Sequence, residues 1–101
     1  MKVVVTPPAF CKSENLKSKL SSIFPNTIYN DKGDYLSESE LIQFLKDADA
    51  AIIGRDPVTK TTLEALPQLK IISKYGVGLG NLDIPSIKEK GVEFVVTMGT
   101  N

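Results

Sequence analysis

Apolar residues in this chain come in short unbroken runs rather than in alternation with polar ones. Val3-Val4-Val5, Ala50-Ala51-Ile52-Ile53, Ile71-Ile72 and Phe94-Val95-Val96 are β-branched or small clusters of two to four residues. Such runs suit strands covered on both faces, as in a parallel sheet. Thr27-Ile28-Tyr29 is a weaker candidate of the same kind. Between the runs the period becomes helical. Leu16, Leu20 and Ile23 recur at i, i+4 and i+7 behind Ser13, a suitable N-cap. Ser37-Glu38-Ser39-Glu40 reads as a capping box leading into Leu41, Ile42, Leu45 and Ala48. Thr59 caps a short helix bearing Leu63 and Leu66, which Pro67 ends. Asp83 caps a last one, with Pro85 in its first turn and Gly91 beyond its end.

The resulting order, β-α-β-α-β-α-β-α-β, predicts an α/β, flavodoxin-like three-layer fold. Its five-stranded parallel sheet is expected in the order 2-1-3-4-5, with helices on both faces. Ligands of such sheets bind beyond the carboxyl ends of the strands. The loops that matter are therefore 6–12, 54–59, 74–81 and 97–101.

Composition narrows the chemistry. The chain has 101 residues, with 12 Lys plus Arg against 12 Asp plus Glu. A net charge of zero offers no basic field for a phosphate backbone, so no nucleic-acid partner is expected. No apolar run is long enough to span a bilayer, and the start reads as a strand before two prolines rather than as a signal peptide. No membrane partner and a cytoplasmic location are expected. Cys11 is the one cysteine, which excludes an internal disulfide and a thiolate metal cage. There is no histidine, which removes imidazole acid-base chemistry and His-based triads. No metal site and no catalytic residue are expected within the chain.

The glycine-rich stretch Tyr75-Gly76-Val77-Gly78-Leu79-Gly80-Asn81 follows the strand Ile71-Ile72-Ser73. It imitates a dinucleotide fingerprint and fails it, because Asn81 stands where the third glycine belongs. Two readings stay open: a tight turn needing positive φ, or a set of bare backbone amides that hold an anion. Arg55 follows the third strand. It is either a loop charge, solvated or paired with an acid such as Asp56, or a partner for a substrate carboxylate. Thr6-Pro7-Pro8-Ala9-Phe10-Cys11 reads as a rigid loop, in which Cys11 is incidental although a nearby helix N-terminus would lower its pKa. Lys70, Lys74, Lys88 and Lys90, scattered among acids, read as a solvated surface.

Residues 69–83, Leu-Lys-Ile-Ile-Ser-Lys-Tyr-Gly-Val-Gly-Leu-Gly-Asn-Leu-Asp, closely resemble a segment of the D-isomer-specific 2-hydroxyacid dehydrogenases, phosphoglycerate dehydrogenase-like members in particular. Asp49 to Thr59 is similar to the family's third strand and its loop. Gly91 to Asn101 is similar to the stretch before the crossover into the cofactor domain. The family usually has Asp where this chain has Gly80. The resemblance implies that residues 1–101 are the substrate-binding lobe of an NAD-dependent oxidoreductase that moves hydride between NAD and C2 of a 2-hydroxy acid, with 3-phosphoglycerate among the candidates. It assigns substrate contact to Tyr75, Gly76, Val77, Gly78, Arg55 and Asn101. It places the NAD-binding Rossmann domain, and the family's catalytic arginine, glutamate and histidine, beyond Asn101. This chain alone is then expected to be inactive and to bind no NAD itself. The implied partners are a small 2-hydroxy or 2-keto acid and, in a full-length form, a second copy in a homodimer. The alternative is a stand-alone, non-catalytic module that binds small carboxylates or a protein partner.

Overall fold

The computed structural model describes residues 1–75 and 80–97. Its strands are β1 (Val3–Val5), β2 (Ile28–Tyr29), β3 (Ala50–Ile53), β4 (Ile71–Tyr75) and β5 (Glu93–Thr97). All neighbours pair in parallel, in the expected order β2-β1-β3-β4-β5. Its helices are α1 (Pro8–Cys11), α2 (Glu14–Ile23), α3 (Glu38–Phe44), α4 (Lys60–Glu64) and α5 (Ile84–Lys90).

Each long helix starts where a short polar side chain satisfies an orphan amide. Ser13 accepts from Leu16 N, Asp83 accepts from Ser86 N, and Ser37 and Glu40 close a capping box. Helix α5 ends at Gly91, whose φ of 81° is left-handed and costs glycine little. One expectation fails at α1. The prolines after β1 do not make an irregular loop but start a single helical turn, because Pro8 at the first position gives up only an amide that would be orphaned anyway.

Register decides what each face of the sheet buries. Val4, Ala51, Ile72 and Phe94 are in register across β1, β3, β4 and β5, and so share one face. Leu41 of α3, Leu63 of α4 and Ile87 of α5 pack into the same cluster, with Ile53, Leu45 and Val58. The opposite face carries Val3 and Val5, with Phe10 of α1 buried on this side of the chain. Helix α2 buries none of its residues, and Ile23, expected on its apolar face, is 68% exposed. The reason is local: β2, its neighbour in sequence, is a two-residue edge strand and offers little surface to cover.

Candidate functional site

The carboxyl edge of the sheet is knitted by buried polar side chains. Strand β3 runs out into Gly54, Arg55 and Asp56. Asp56 is fully buried, and its carboxylate turns inward. Its Oδ1 lies 2.5 Å from Thr6 Oγ1 and accepts from Gly54 N at 3.2 Å, while Oδ2 accepts from Leu36 N at 3.0 Å. Thr6 and Asn30 extend the seam sideways. Asn30 Nδ2 donates to the carbonyls of Thr6 and Asp34, both at 2.9 Å. The ends of β1, β2 and β3 are thus tied through one carboxylate and one amide. Among the described residues no buried side-chain nitrogen or oxygen lacks a partner.

A second knot joins β3 to β4. Lys74 is 2% exposed, whereas its sequence context suggests a solvated lysine. Register explains the difference. Strand β4 extends to Tyr75 rather than ending at Ser73, and Lys74 pairs with Ile53 on the same face as Ile72. Its ammonium donates to the Gly54 carbonyl and to Asn81 Oδ1 at 3.3 Å. Asn81 Nδ2 donates to the Gly54 carbonyl at 2.9 Å and to the Asp56 carbonyl at 2.7 Å. Desolvation pushes the Lys74 pKa down; the Asp56 charge opposes this and the Arg55 charge adds to it.

Of the residues expected to meet substrate, two fall within the described structure. Arg55 is exposed at the rim, its guanidinium 5.6 Å from the centroid of the Tyr35 ring. It makes no ion pair with Asp56, whose oxygens are taken up inside, and the only ion pair among the described residues is Lys32–Glu40. Tyr75 is half-buried at the end of β4, edge-on to Phe10 with centroids 5.4 Å apart. These two stand at the carboxyl ends of adjacent strands. Gly76, Val77, Gly78 and Asn101 lie outside the described residues. Among the described residues nothing lies within 4 Å of where a Cβ at Gly80 would stand.

Cys11 corrects an expectation. It closes α1 and stands two residues before Ser13, the N-cap of α2, yet its thiol donates to the Val5 carbonyl at 3.5 Å. Burial pushes its pKa up, the direction opposite to that of an activated thiol. The sequence reading missed Thr6, Asn30, Asp56 and Lys74 as site-builders. The available signal was position: each stands in or just beyond a strand at its carboxyl end.

The family model of the D-isomer specific 2-hydroxyacid dehydrogenase catalytic domain matches residues 9–101. The chain belongs to this family. It is 33% identical over 69 residues to hydroxypyruvate reductase of Thermotoga maritima, a match covering 67% of this chain and 22% of that protein. It is 38% identical over 61 residues to D-3-phosphoglycerate dehydrogenase of Synechocystis, covering 59% of this chain and 11% of that one. Among solved structures, NAD+-bound 3-phosphoglycerate dehydrogenase of Entamoeba histolytica superposes with a TM-score of 0.80 at 26% identity. That match covers 96% of this chain and 32% of the other. The chain of this 2-hydroxyacid dehydrogenase family member thus spans a third or less of each of these three relatives.

The third glycine of a dinucleotide fingerprint lets its helix pack closely on the strand. At that position Asn81 turns its amide onto the Gly54 and Asp56 carbonyls instead, which does not fit the fingerprint. No helix among the described residues is long and apolar enough to cross a membrane.

Proposed function

We propose that this chain is the substrate-binding lobe of an NAD-dependent oxidoreductase that transfers hydride between NAD and C2 of a 2-hydroxy acid. The lobe holds the acid's carboxylate at the carboxyl edge of β3 and β4. Arg55 and Tyr75 contact the substrate from the rim, with the amides of Gly76, Val77 and Gly78, and Asn101 stands at the edge of the cleft. The observation that carries this reading is the state of Arg55: an exposed guanidinium held against Tyr35, with no carboxylate partner among the described residues and its neighbour Asp56 turned inward. A charged fork presented without a counter-ion is suited to bidentate capture of an anion.

The chain has no histidine, so the proton that accompanies hydride transfer is handled outside it. NAD is bound outside it as well. The relatives bearing the names phosphoglycerate dehydrogenase, hydroxypyruvate reductase and glyoxylate reductase support a small 2-hydroxy or 2-keto acid as the substrate class. The same reading carries a cytoplasmic location and a homodimeric full-length form.

The test is a titration of the chain with glycolate, glyoxylate and 3-phosphoglycerate, followed through backbone amide resonances. Shifts should concentrate on Tyr75 to Asn81 and on Arg55. Replacing Arg55 with Gln should weaken binding by roughly tenfold or more, as expected for loss of a charge-assisted hydrogen bond. Shifts confined to other surfaces, or an unchanged affinity in Arg55→Gln, would sink the assignment. The chain alone should form no NADH from any 2-hydroxy acid.

A further inference from the structure

Arg55 and Tyr35 meet at the rim although twenty positions separate them. The backbone on both sides of Tyr35 is tied down. Asn30 Nδ2 donates to the Asp34 carbonyl at 2.9 Å, and Tyr35 N donates to Asp34 Oδ1 at 2.8 Å. Beyond the ring, Leu36 N donates to Asp56 Oδ2 at 3.0 Å. Arg55 rises from the turn after β3, and the residue before it is tied as well. The Gly54 amide donates to Asp56 Oδ1 at 3.2 Å, and the Gly54 carbonyl accepts from Asn81 Nδ2 at 2.9 Å. The absent side chain of Gly54 leaves room for the ring, since a Cβ there would stand 3.0 Å from Tyr35 Cε1. One fully buried carboxylate thus accepts a backbone amide from the segment of each partner, with the Thr6 hydroxyl as its third donor.

From this geometry we infer that Asp56 is a positioning residue: by joining the Gly54–Asp56 turn to the Tyr35–Leu36 step, it seats the Arg55 guanidinium on the Tyr35 ring, without touching the ligand itself. An arginine side chain loose in solvent must be ordered when it captures an anion, and a fork already resting on a ring has less freedom to lose. Asp56→Asn cannot preserve the join, because its NH2 would face the amide of either Gly54 or Leu36 and so release one half of the pair. The gain in affinity rests on the carboxylate-binding reading above. The seating of Arg55 does not.

The seating is tested first in the unliganded wild-type chain. Leu36 N should show scalar coupling across its hydrogen bond to the Asp56 carboxylate carbon. The Arg55 side chain should give cross-peaks to the Tyr35 ring, with an ordered Nε–H in relaxation measurements. Absence of either signal overturns the inference without any substitution. In folded Asp56→Asn the cross-peaks should be lost and the Arg55 Nε–H should become mobile, while the buried methyls of Val4, Ile72 and Ile87 keep their wild-type resonances. Tyr35→Leu leaves the donors to the carboxylate in place and should free the Arg55 Nε–H in the same way, which keeps the seating open to refutation where Asp56→Asn does not fold. An Nε–H that stays ordered in either variant overturns the inference. Glycolate is then titrated into wild type, Asp56→Asn, Arg55→Gln and the double variant. Asp56→Asn should weaken binding roughly three- to tenfold where Arg55 is present, and not at all beside Arg55→Gln. Equal losses in both backgrounds, or a loss in neither, overturn the positioning role; Tyr35→Leu takes the same place in the cycle if Asp56→Asn is unfolded. If the wild-type chain binds no glycolate, or Arg55→Gln binds it equally well, the reading above fails and the seating is judged on the Leu36 and Arg55 signals alone.

Discussion

Two regions of this molecule are equally buried and differently built. Under α3, α4 and α5, the middle of the sheet face is packed with apolar side chains: Val4, Ile53, Ile72, Leu41 and Ile87 are all at 0% exposure. At the carboxyl edge, Thr6, Asp56 and Lys74 reach 0%, 0% and 2%, but their polar atoms are held by directed hydrogen bonds. The regions meet on one strand, where Ile72 and Lys74 sit two residues apart on the same face of β4. Apolar burial is non-directional and tolerates a near-fit. A buried polar seam tolerates none, because one misplaced donor leaves another group desolvated and unpaired. The apolar layer therefore stabilises the fold, and the polar seam fixes where its loops stand.

The sharpest way to break this comparison is to make a drastic and a conservative change in each region. Ile72→Ala should cost about 4 kcal/mol, because a fully buried β-branched side chain in a tight layer leaves a cavity. Ile72→Val should cost only about 1 kcal/mol. Asp56→Asn is nearly isosteric, yet it should cost about 2 kcal/mol, since an NH2 then faces one of the donors Thr6, Gly54 or Leu36. Equilibrium unfolding in urea measures all three. If Asp56→Asn proves milder than Ile72→Val, the seam is not the exacting region argued here.

Gly54 tests the seam at its hub. Both its amide and its carbonyl are in the network, and a Cβ there would meet Tyr35 Cε1 at 3.0 Å and Pro7 Cβ at 3.2 Å. The proline ring cannot swing aside, so Gly54→Ala must push Tyr35, the residue on which Arg55 rests. A loss of about 1–2 kcal/mol is expected from overpacking, with perturbed Arg55 and Tyr35 resonances. A variant that is as stable as the wild type, with unmoved resonances, would show the turn to be looser than its packing implies.

The two regions were not equally legible in the sequence. Val3 to Val5, Ala50 to Ile53 and Ile71 to Ile72 declare strands because they have no polar interruption, and the caps at Ser13, Ser37, Thr59 and Asp83 declare helices by local chemistry. Parallel pairing followed from alternation, and the strand order from the count of five strands. The seam is built of residue types that elsewhere face water, and only register makes them interior. Lys74 reads as a surface lysine until β4 is known to run on to Tyr75. Asp56 reads as a counter-ion for Arg55 until Leu36 is known to come within 3.0 Å of it. Arg55 was legible as a candidate because its place after β3 follows from topology. Its stacking on Tyr35, twenty residues away in sequence, was not. Ile23 shows the converse: a helical period names an apolar face but not whether the sheet extends beneath it.

Exposed polar contacts supply the control for the buried seam. At the start of α3, Glu40 Oε1 accepts from Ser37 N at 2.9 Å, and Glu40 pairs with Lys32 at 2.8 Å, with both side chains about half exposed. The Lys32 ammonium, then the Ser37 amide, pull the Glu40 pKa down from 4.5 to about 2. A carboxyl depressed on folding stabilises the protein above its unfolded pKa. That contribution is therefore full above about pH 4.5 and fades as pH falls toward 2. Wild type and Glu40→Gln should differ modestly at neutral pH and converge across this window. Added salt should shrink the Lys32 part of the gap and spare the Ser37 part, because water screens an ion pair more than a short hydrogen bond to backbone. Thermal unfolding of both proteins at a series of pH and salt values reads this out. A gap that persists unchanged at the acid end would mean that Glu40 acts through something other than its charge. A gap near zero at every pH would place this exposed pair where surface pairs usually fall, and the contrast with Asp56 would then be sharper still.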